Sequence, residues 1–167
     1  DAIVDRIKEV KGVRPDSGPD LHKTAVHLHW MEDRAEIFLD TSGETLAKHG
    51  YRKHPGKAPM LEALATSTIM ATKWDGKSPF INPMCGSGTL AIEAALIAQK
   101  RMPGSQRMNY AFMHFIGYDE EVFFEDRRYI KDIADKHNIP KIVASDISEE
   151  AIEIAKMNAR TAGVEHL

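Results

Sequence analysis

Asn82-Pro83-Met84-Cys85-Gly86-Ser87-Gly88-Thr89 is the stretch that decides the fold. The apolar run Pro79-Phe80-Ile81 enters it as a short strand, and Leu90, Ala91, Ile92, Ala94, Ala95 and Leu96 leave it in a helical pattern. A strand, a two-glycine turn and a helix N-terminus make a cofactor site of the nucleotide type. The glycines let ligand atoms approach the backbone, and the first helical N–H groups point at the ligand.

Working outward, Pro59 to Lys73 predicts a helix whose apolar stripe is Leu61, Leu64, Ala65, Thr68 and Ile69, with Pro59 in its first turn. The helix after the glycine turn is expected to run to about Lys100. Met102 to Asn138 is polar and aromatic, with a helix expected from Glu120 to His137. Ile142-Val143-Ala144 predicts a short buried strand ending at Asp146. Ser148 then suits the cap of a helix that has Glu149 and Glu150 in its first turn and stops at Gly163. Helix, strand, helix, inserted helical segment, strand, helix is an order of α/β, doubly wound character.

The first fifty residues read differently. Ile3, Val4, Ile7 and Val10 fall at helical spacing before Gly12, and a loop rich in Pro, Gly, Ser and Asp covers Arg14 to Asp20. Val26, Leu28 and Trp30 then alternate with His27 and His29, and Ile37 and Leu39 alternate after Glu32-Asp33-Arg34. That predicts a β-hairpin with one wet face, at the end of a separate α+β domain. The divisions expected are 1–54, a linker helix over 55–75, and 76–167. Because the chain opens inside a helical pattern and stops just past a helix-terminating glycine, it reads as a piece of something longer.

The 167 residues are 43% hydrophobic and 28% charged, as in a soluble globular chain. A net charge of -3 provides no global attraction to nucleic acid, so such a contact needs a local patch. The basic run from Lys48 to Lys57, holding Tyr51, Arg52 and Lys53 with only Glu44 opposing it, is the candidate for RNA phosphates, with a solvated linker as the equal alternative. One cysteine rules out an internal disulfide framework and suits a reducing compartment. No apolar run approaches the roughly 18 residues of a membrane span, and a cytoplasmic location is expected. His27 and His29 read as a wet sheet face, and no metal is expected.

Three cofactors compete for the turn. A phosphate-binding loop needs a lysine after Gly88, and none is there. Gly86-x-Gly88-x-x-Ala91 formally matches the dinucleotide fingerprint, which also expects an acid about 20 residues on. Near that point stands Asn109-Tyr110-Ala111, with neither strand nor acid. S-adenosylmethionine is the third. Here the turn abuts the methionine moiety, and an acid ending the second strand accepts hydrogen bonds from both ribose hydroxyls. Asp146 is placed for that work, at the far side of a long insertion.

Asn82 to Ala95 resembles the cofactor motif of the THUMP-domain RNA methyltransferases, and is similar above all to the bacterial 23S ribosomal RNA guanine N2-methyltransferase group, whose members are often catalogued as nucleic-acid adenine methylases. Leu39 to Leu46 with His49-Gly50-Tyr51-Arg52 resembles the end of the THUMP region, and Gly56 to Ala65 resembles the linker helix. Ser145-Asp146-Ile147-Ser148 with Ala155 to Gly163 resembles the second cofactor motif. The resemblance spans nearly the whole chain and is thin at 102–140, where an insertion is a family habit. It implies the N-terminal part of a Rossmann-like S-adenosylmethionine-dependent methyltransferase fold, preceded by the C-terminal part of an α+β THUMP-like domain. It further implies cofactor contacts at Asn82, Pro83, Met84, Cys85, Gly86, Gly88, Thr89, Asp146 and Ile147, and RNA as partner.

Two departures stand out. The family commonly has Asp where Asn82 stands, so a charged contact is lost. It also carries an Asn/Asp-Pro-Pro-Tyr loop that aims the acceptor amine, and no Pro-Pro occurs in this chain. No catalytic residue is therefore expected within these 167 residues. Cys85 reads as a lining residue rather than a nucleophile. Glu93 reads as orienting or compensating the helix dipole. Phe112, Phe115, Tyr118, Phe123 and Phe124 read as docking the inserted helix, with base stacking as the alternative. A DNA or protein N-methyltransferase, and a non-catalytic RNA-binding module on a vestigial cofactor fold, are the competing functions.

Overall fold

The computed structural model describes residues 2–15, 23–135, 137 and 139–166. The loop expected at Arg14 to Asp20 lies largely outside those residues. Helix α1 (Ala2–Lys11) is followed by strands β1 (Val26–Met31) and β2 (Arg34–Leu39). Helix α2 (Glu62–Ala71), strand β3 (Phe80–Asn82) and helix α3 (Thr89–Ala98) come next. A single 3-10 turn (Ala111–His114) and helix α4 (Glu120–Asp132) form the insertion, before strand β4 (Ile142–Ala144) and helix α5 (Glu149–Ala162).

β3 and β4 pair in parallel, with Phe80 opposite Ile142, Ile81 opposite Val143 and Asn82 opposite Ala144. A parallel pair needs a crossover, and α3 supplies it. α3 carries alanine at four of its ten positions, which lets neighbours approach closely, and it buries Thr89, Ala91, Ile92, Glu93, Ala94 and Ala95. The core gathers Tyr51, Ile92, Ala95, Ala162 and Val164, with Leu96, Ile142 and Ala159 against them. β4 was expected to be buried, yet none of its residues is fully so, and Ile81 of β3 is 67% exposed. Two strands leave the sheet's other face without a covering layer among the described residues.

The hairpin forms in full antiparallel register around Glu32-Asp33, with Glu32 at positive φ. Both of its faces are exposed rather than one, and α1 buries nothing. α2 is shorter than the sequence pattern suggests. Pro59 precedes the helix, Leu61 is its N-cap residue, and Leu61, Leu64 and Thr68 face solvent. Its buried residues are Glu62, Ala65 and Ile69. α3 ends two residues before Lys100, and α4 ends at Asp132. Asp119 caps α4 by accepting from the Glu121 and Val122 amides, and Ser148 caps α5 by accepting from Ala151.

The insertion is tied off at its neck, where the Asp135 amide donates to the Gln99 carbonyl at 2.8 Å. It is also clamped to the segment after the hairpin. The buried Arg107 guanidinium donates to the carbonyls of Ser42, Glu44 and Thr45, and the Phe112 amide donates to the Thr41 carbonyl at 3.0 Å.

Candidate functional site

The glycine turn closes at the C-terminal end of β3. The Cys85 amide donates to the Ser145 carbonyl and the Ser145 amide to the Asn82 carbonyl, both at 2.9 Å, so the parallel ladder continues past the strands. Gly88 donates to the Cys85 carbonyl at 2.8 Å and, with φ +83°, becomes the N-cap residue of α3. A Cβ on Gly88 would lie 2.9 Å from the Ala155 Cβ and 3.2 Å from its Cα, so α5 packs directly on the turn. A Cβ on Gly86, at φ +52°, would meet nothing within 4 Å. One glycine is required by the protein's own packing; the other borders open space.

Asp146 reaches the turn from the next strand. Its Oδ2 accepts from the Gly86 amide at 2.9 Å and its Oδ1 from the Ser148 amide at 3.0 Å. The Ser148 amide first, then that of Gly86, holds the carboxyl below the usual aspartate range. A carboxylate has about four acceptor positions, so the group keeps acceptor capacity beyond its backbone bonds. Met84 and Ile147, both almost fully exposed, flank the turn. Asn82 is buried at the end of β3, and its Nδ2 has no partner among the described residues. Pro83 is exposed, and its carbonyl accepts from the Ser145 hydroxyl at 3.4 Å. The Cys85 thiol is pushed up by burial and then by the neighbouring Asp146, which disfavours the thiolate a nucleophile needs. An orphaned buried amide, an open glycine and an ionised acid with free lone pairs fit a ribose-bearing cofactor.

Behind the turn lies a polar network that spacing did not reveal. Thr89 Oγ1 accepts from Arg52 Nη2 at 2.9 Å, and Arg52 also donates to the Met60 carbonyl and lies 3.6 Å from buried Glu62. His49 Nδ1 is 2.9 Å from Glu93 Oε1, and Thr66 donates to Glu93 Oε2 at 2.6 Å. Tyr51 is 2% exposed, and burial, then Glu93 beside it, raises its phenol far above the ordinary range. Asn158, with no exposed surface, donates to the carbonyls of His54 (2.8 Å) and Ser87 (3.1 Å) and accepts from the His54 amide. Its position between Ala155 and Ala162 on the buried face of α5 was the available signal: a polar side chain where the helix faces the core.

Within the basic run, Tyr51 and Arg52 therefore turn inward and cannot present their side chains to a phosphate. Lys48 pairs at the surface with Glu44 at 2.7 Å, and Lys53 is exposed. Among the described residues, no three His, Cys, Asp or Glu side chains gather as a metal site, and no helix is long and apolar enough to cross a membrane.

A parallel strand pair whose acid-bridged glycine turn opens a helix is the cofactor-binding arrangement of a Rossmann-like α/β fold. The chain belongs to the RMKL-like methyltransferase domain family (UPF0020), which matches residues 49–167. Among its relatives is the ribosomal RNA large subunit methyltransferase K/L of Aliivibrio fischeri, 37% identical over 174 residues, covering 100% of this chain and 24% of that protein. The Aliivibrio salmonicida protein of the same name is 36% identical with the same coverage. The chain thus spans about a quarter of the length of these curated relatives. Among solved structures, SMU.472, assigned as a methyltransferase and complexed with SAH, superposes with a TM-score of 0.79 at 34% identity, over 98% of this chain and 43% of that one. A predicted N6-adenine-specific DNA methylase from Listeria monocytogenes gives 0.81 at 34% identity, over 99% and 43%.

Proposed function

We propose that this chain holds the methyl donor S-adenosylmethionine for an RNA methyltransferase whose target is a guanine N2 of 23S ribosomal RNA. The observation that carries the reading is the Asp146 carboxylate, bonded to the amide of a Gly86 whose outer side is open. When bound, the donor supplies an already activated methyl group for in-line transfer to an amine. Asp146 offers its remaining lone pairs to the ribose hydroxyls, and the buried Asn82 amide donates to the polar end of the cofactor. Met84 and Ile147 provide apolar cover, while Pro83, Cys85, Gly88 and Thr89 shape the floor. With the donor activated, the protein's contribution is alignment and exclusion of water.

On this reading residues 1–54 are the end of a THUMP-like RNA-binding domain, 55–75 the linker and 76–167 the start of the methyltransferase domain. Lys53 and Lys48 are the contacts left to RNA phosphates, since Tyr51 and Arg52 brace α3. The residues aiming the acceptor amine are not among these 167, and the base must leave its stack to meet the methyl group. The name of the Listeria neighbour favours a second reading, a DNA amine as acceptor.

Calorimetry with S-adenosylhomocysteine and with NAD tests the cofactor. S-adenosylhomocysteine alone should bind, and Asp146→Ala should abolish most of that binding; NAD binding that ignores Asp146→Ala refutes the reading. Methyl transfer by the longer relatives to 23S RNA against DNA separates the two acceptors.

A further inference from the structure

A cavity of about 880 Å³ lies away from the glycine turn, between the insertion and the C-terminal ends of α3 and α5. Its size lies in the range of small-molecule sites, about 300–1,000 Å³. Tyr110 and Phe112 stack at 5.3 Å with an interplanar angle of 23°, Phe123 leans on both, and Phe124 meets Phe123 edge-on at 5.5 Å. All four line the cavity. Tyr110, Phe112 and Phe123 pack mainly on one another. Phe124 touches only the Phe123 edge among these rings and stays 41% exposed at the cavity wall.

The charge is one-sided. Arg101, Arg127, Arg128 and Lys131 line the cavity, and among the described residues no acid does, although the chain carries a net charge of -3. Arg127 is spent on structure: it donates to the Arg107 carbonyl at 2.8 Å and to that of Ser105, and lies 5.4 Å from the Phe123 centroid. Arg101 is likewise held by the Ala162 carbonyl. Arg128 and Lys131 are exposed on α4 and make no ion pair among the described residues. An aromatic wall beside two unpaired cations, with no acid, matches a planar ring attached to anionic groups. An apolar peptide would leave the cations without counterparts.

We propose that this cavity takes an unpaired RNA base, stacked on Phe124, with the neighbouring phosphates on Arg128 and Lys131. It is a second nucleic-acid contact, independent of the cofactor turn. Stacking on an aromatic is tolerant of base identity, so the site selects single strands rather than a sequence.

The test is fluorescence anisotropy of labelled single-stranded RNA pentamers with the full chain, at several salt concentrations. Phe124→Ala should weaken binding about tenfold, in line with the loss of one stacked base. Arg128→Glu with Lys131→Glu should weaken it further and reduce the logarithmic salt slope by about 1.4, the value for two phosphate contacts to a single strand. Both variants should keep their far-ultraviolet circular dichroism and bind S-adenosylhomocysteine as the parent does, which separates failure here from failure of the cofactor reading. Unchanged affinity in both variants overturns the proposal. So does RNA binding that heparin displaces but Phe124→Ala leaves intact, or occupation of the cavity by an apolar peptide that RNA does not displace.

Discussion

Replacing Gly88 and Gly86 in turn by alanine separates what the turn does for the fold from what it does for a ligand. At Gly88 the new Cβ would sit 2.9 Å from the Ala155 Cβ and 3.2 Å from the Ala155 Cα, and backbone of α5 cannot swing aside as a side-chain tip would. The left-handed conformation adds about 1–2 kcal/mol for a residue with a Cβ. Overpacking adds about 1–3 kcal/mol. The expected loss is about 2–5 kcal/mol, or a Tm lower by about 4–20 °C for a chain of this size. At Gly86 only the conformational part applies, because nothing lies within 4 Å, and the Tm should fall by about 2–8 °C. The ranking reverses for the cofactor. The methyl on Gly86 intrudes where the ligand is proposed to lie, and affinity for S-adenosylhomocysteine should drop about tenfold or more, roughly 1.4 kcal/mol. Thermal unfolding followed by circular dichroism, with calorimetric titration of each variant, reads both quantities. Equal Tm losses, or full cofactor affinity in Gly86→Ala, would refute the reasoning.

Other expectations follow from the same geometry. Asn158→Ala removes three buried hydrogen bonds and leaves the His54 amide and the His54 and Ser87 carbonyls unpaired; urea denaturation should show a loss of about 2–4 kcal/mol. The carboxyl of Asp146 is held below its unfolded value of about 3.9, so its stabilising contribution is complete above that pH and is lost as pH falls through the lower folded value. Acid unfolding should therefore be less steep in Asp146→Asn, with no difference in slope between pH 5 and 7. Cys85→Ser should leave S-adenosylhomocysteine affinity within about twofold, and alkylation of Cys85 at pH 7 should be slower than that of a free thiol, since the thiol is both buried and raised. The 167-residue chain alone should transfer no methyl group to ribosomal RNA; turnover would show that the amine is aimed by residues already present.

What could be read from the sequence was local. The glycine turn, the caps at Ser148 and Gly163, and the strand at Ile142 each follow from neighbours within a few positions. What could not be read depends on partners far along the chain. Glu93 on a helix reads as a dipole effect until His49 and Thr66 arrive beside it, 44 and 27 residues away in sequence. Arg52 looks like a free cation for RNA until α3 presents Thr89 and α2 presents Glu62. Leu61 and Leu64 look like core because periodicity cannot tell which side of a helix the rest of the molecule occupies; α3 packs on the side of Ala65 and Ile69 instead. Hydrophobic pattern ranks residues by type, and a buried acid with good partners escapes it.

The 2.8 Å bond between the Asp135 amide and the Gln99 carbonyl has a consequence for how such a chain can vary. It makes residues 100–134 a side branch with a closed base, so the spacing of β3 and β4 does not register what happens along the branch. Doubling the length of a flexible closed loop adds only about 0.6 kcal/mol of closure entropy. The aromatic and basic face carried there can therefore lengthen, shrink or change its chemistry while the cofactor floor stays in register. Novelty in this architecture is cheapest on the branch and most restricted at the trunk it grows from.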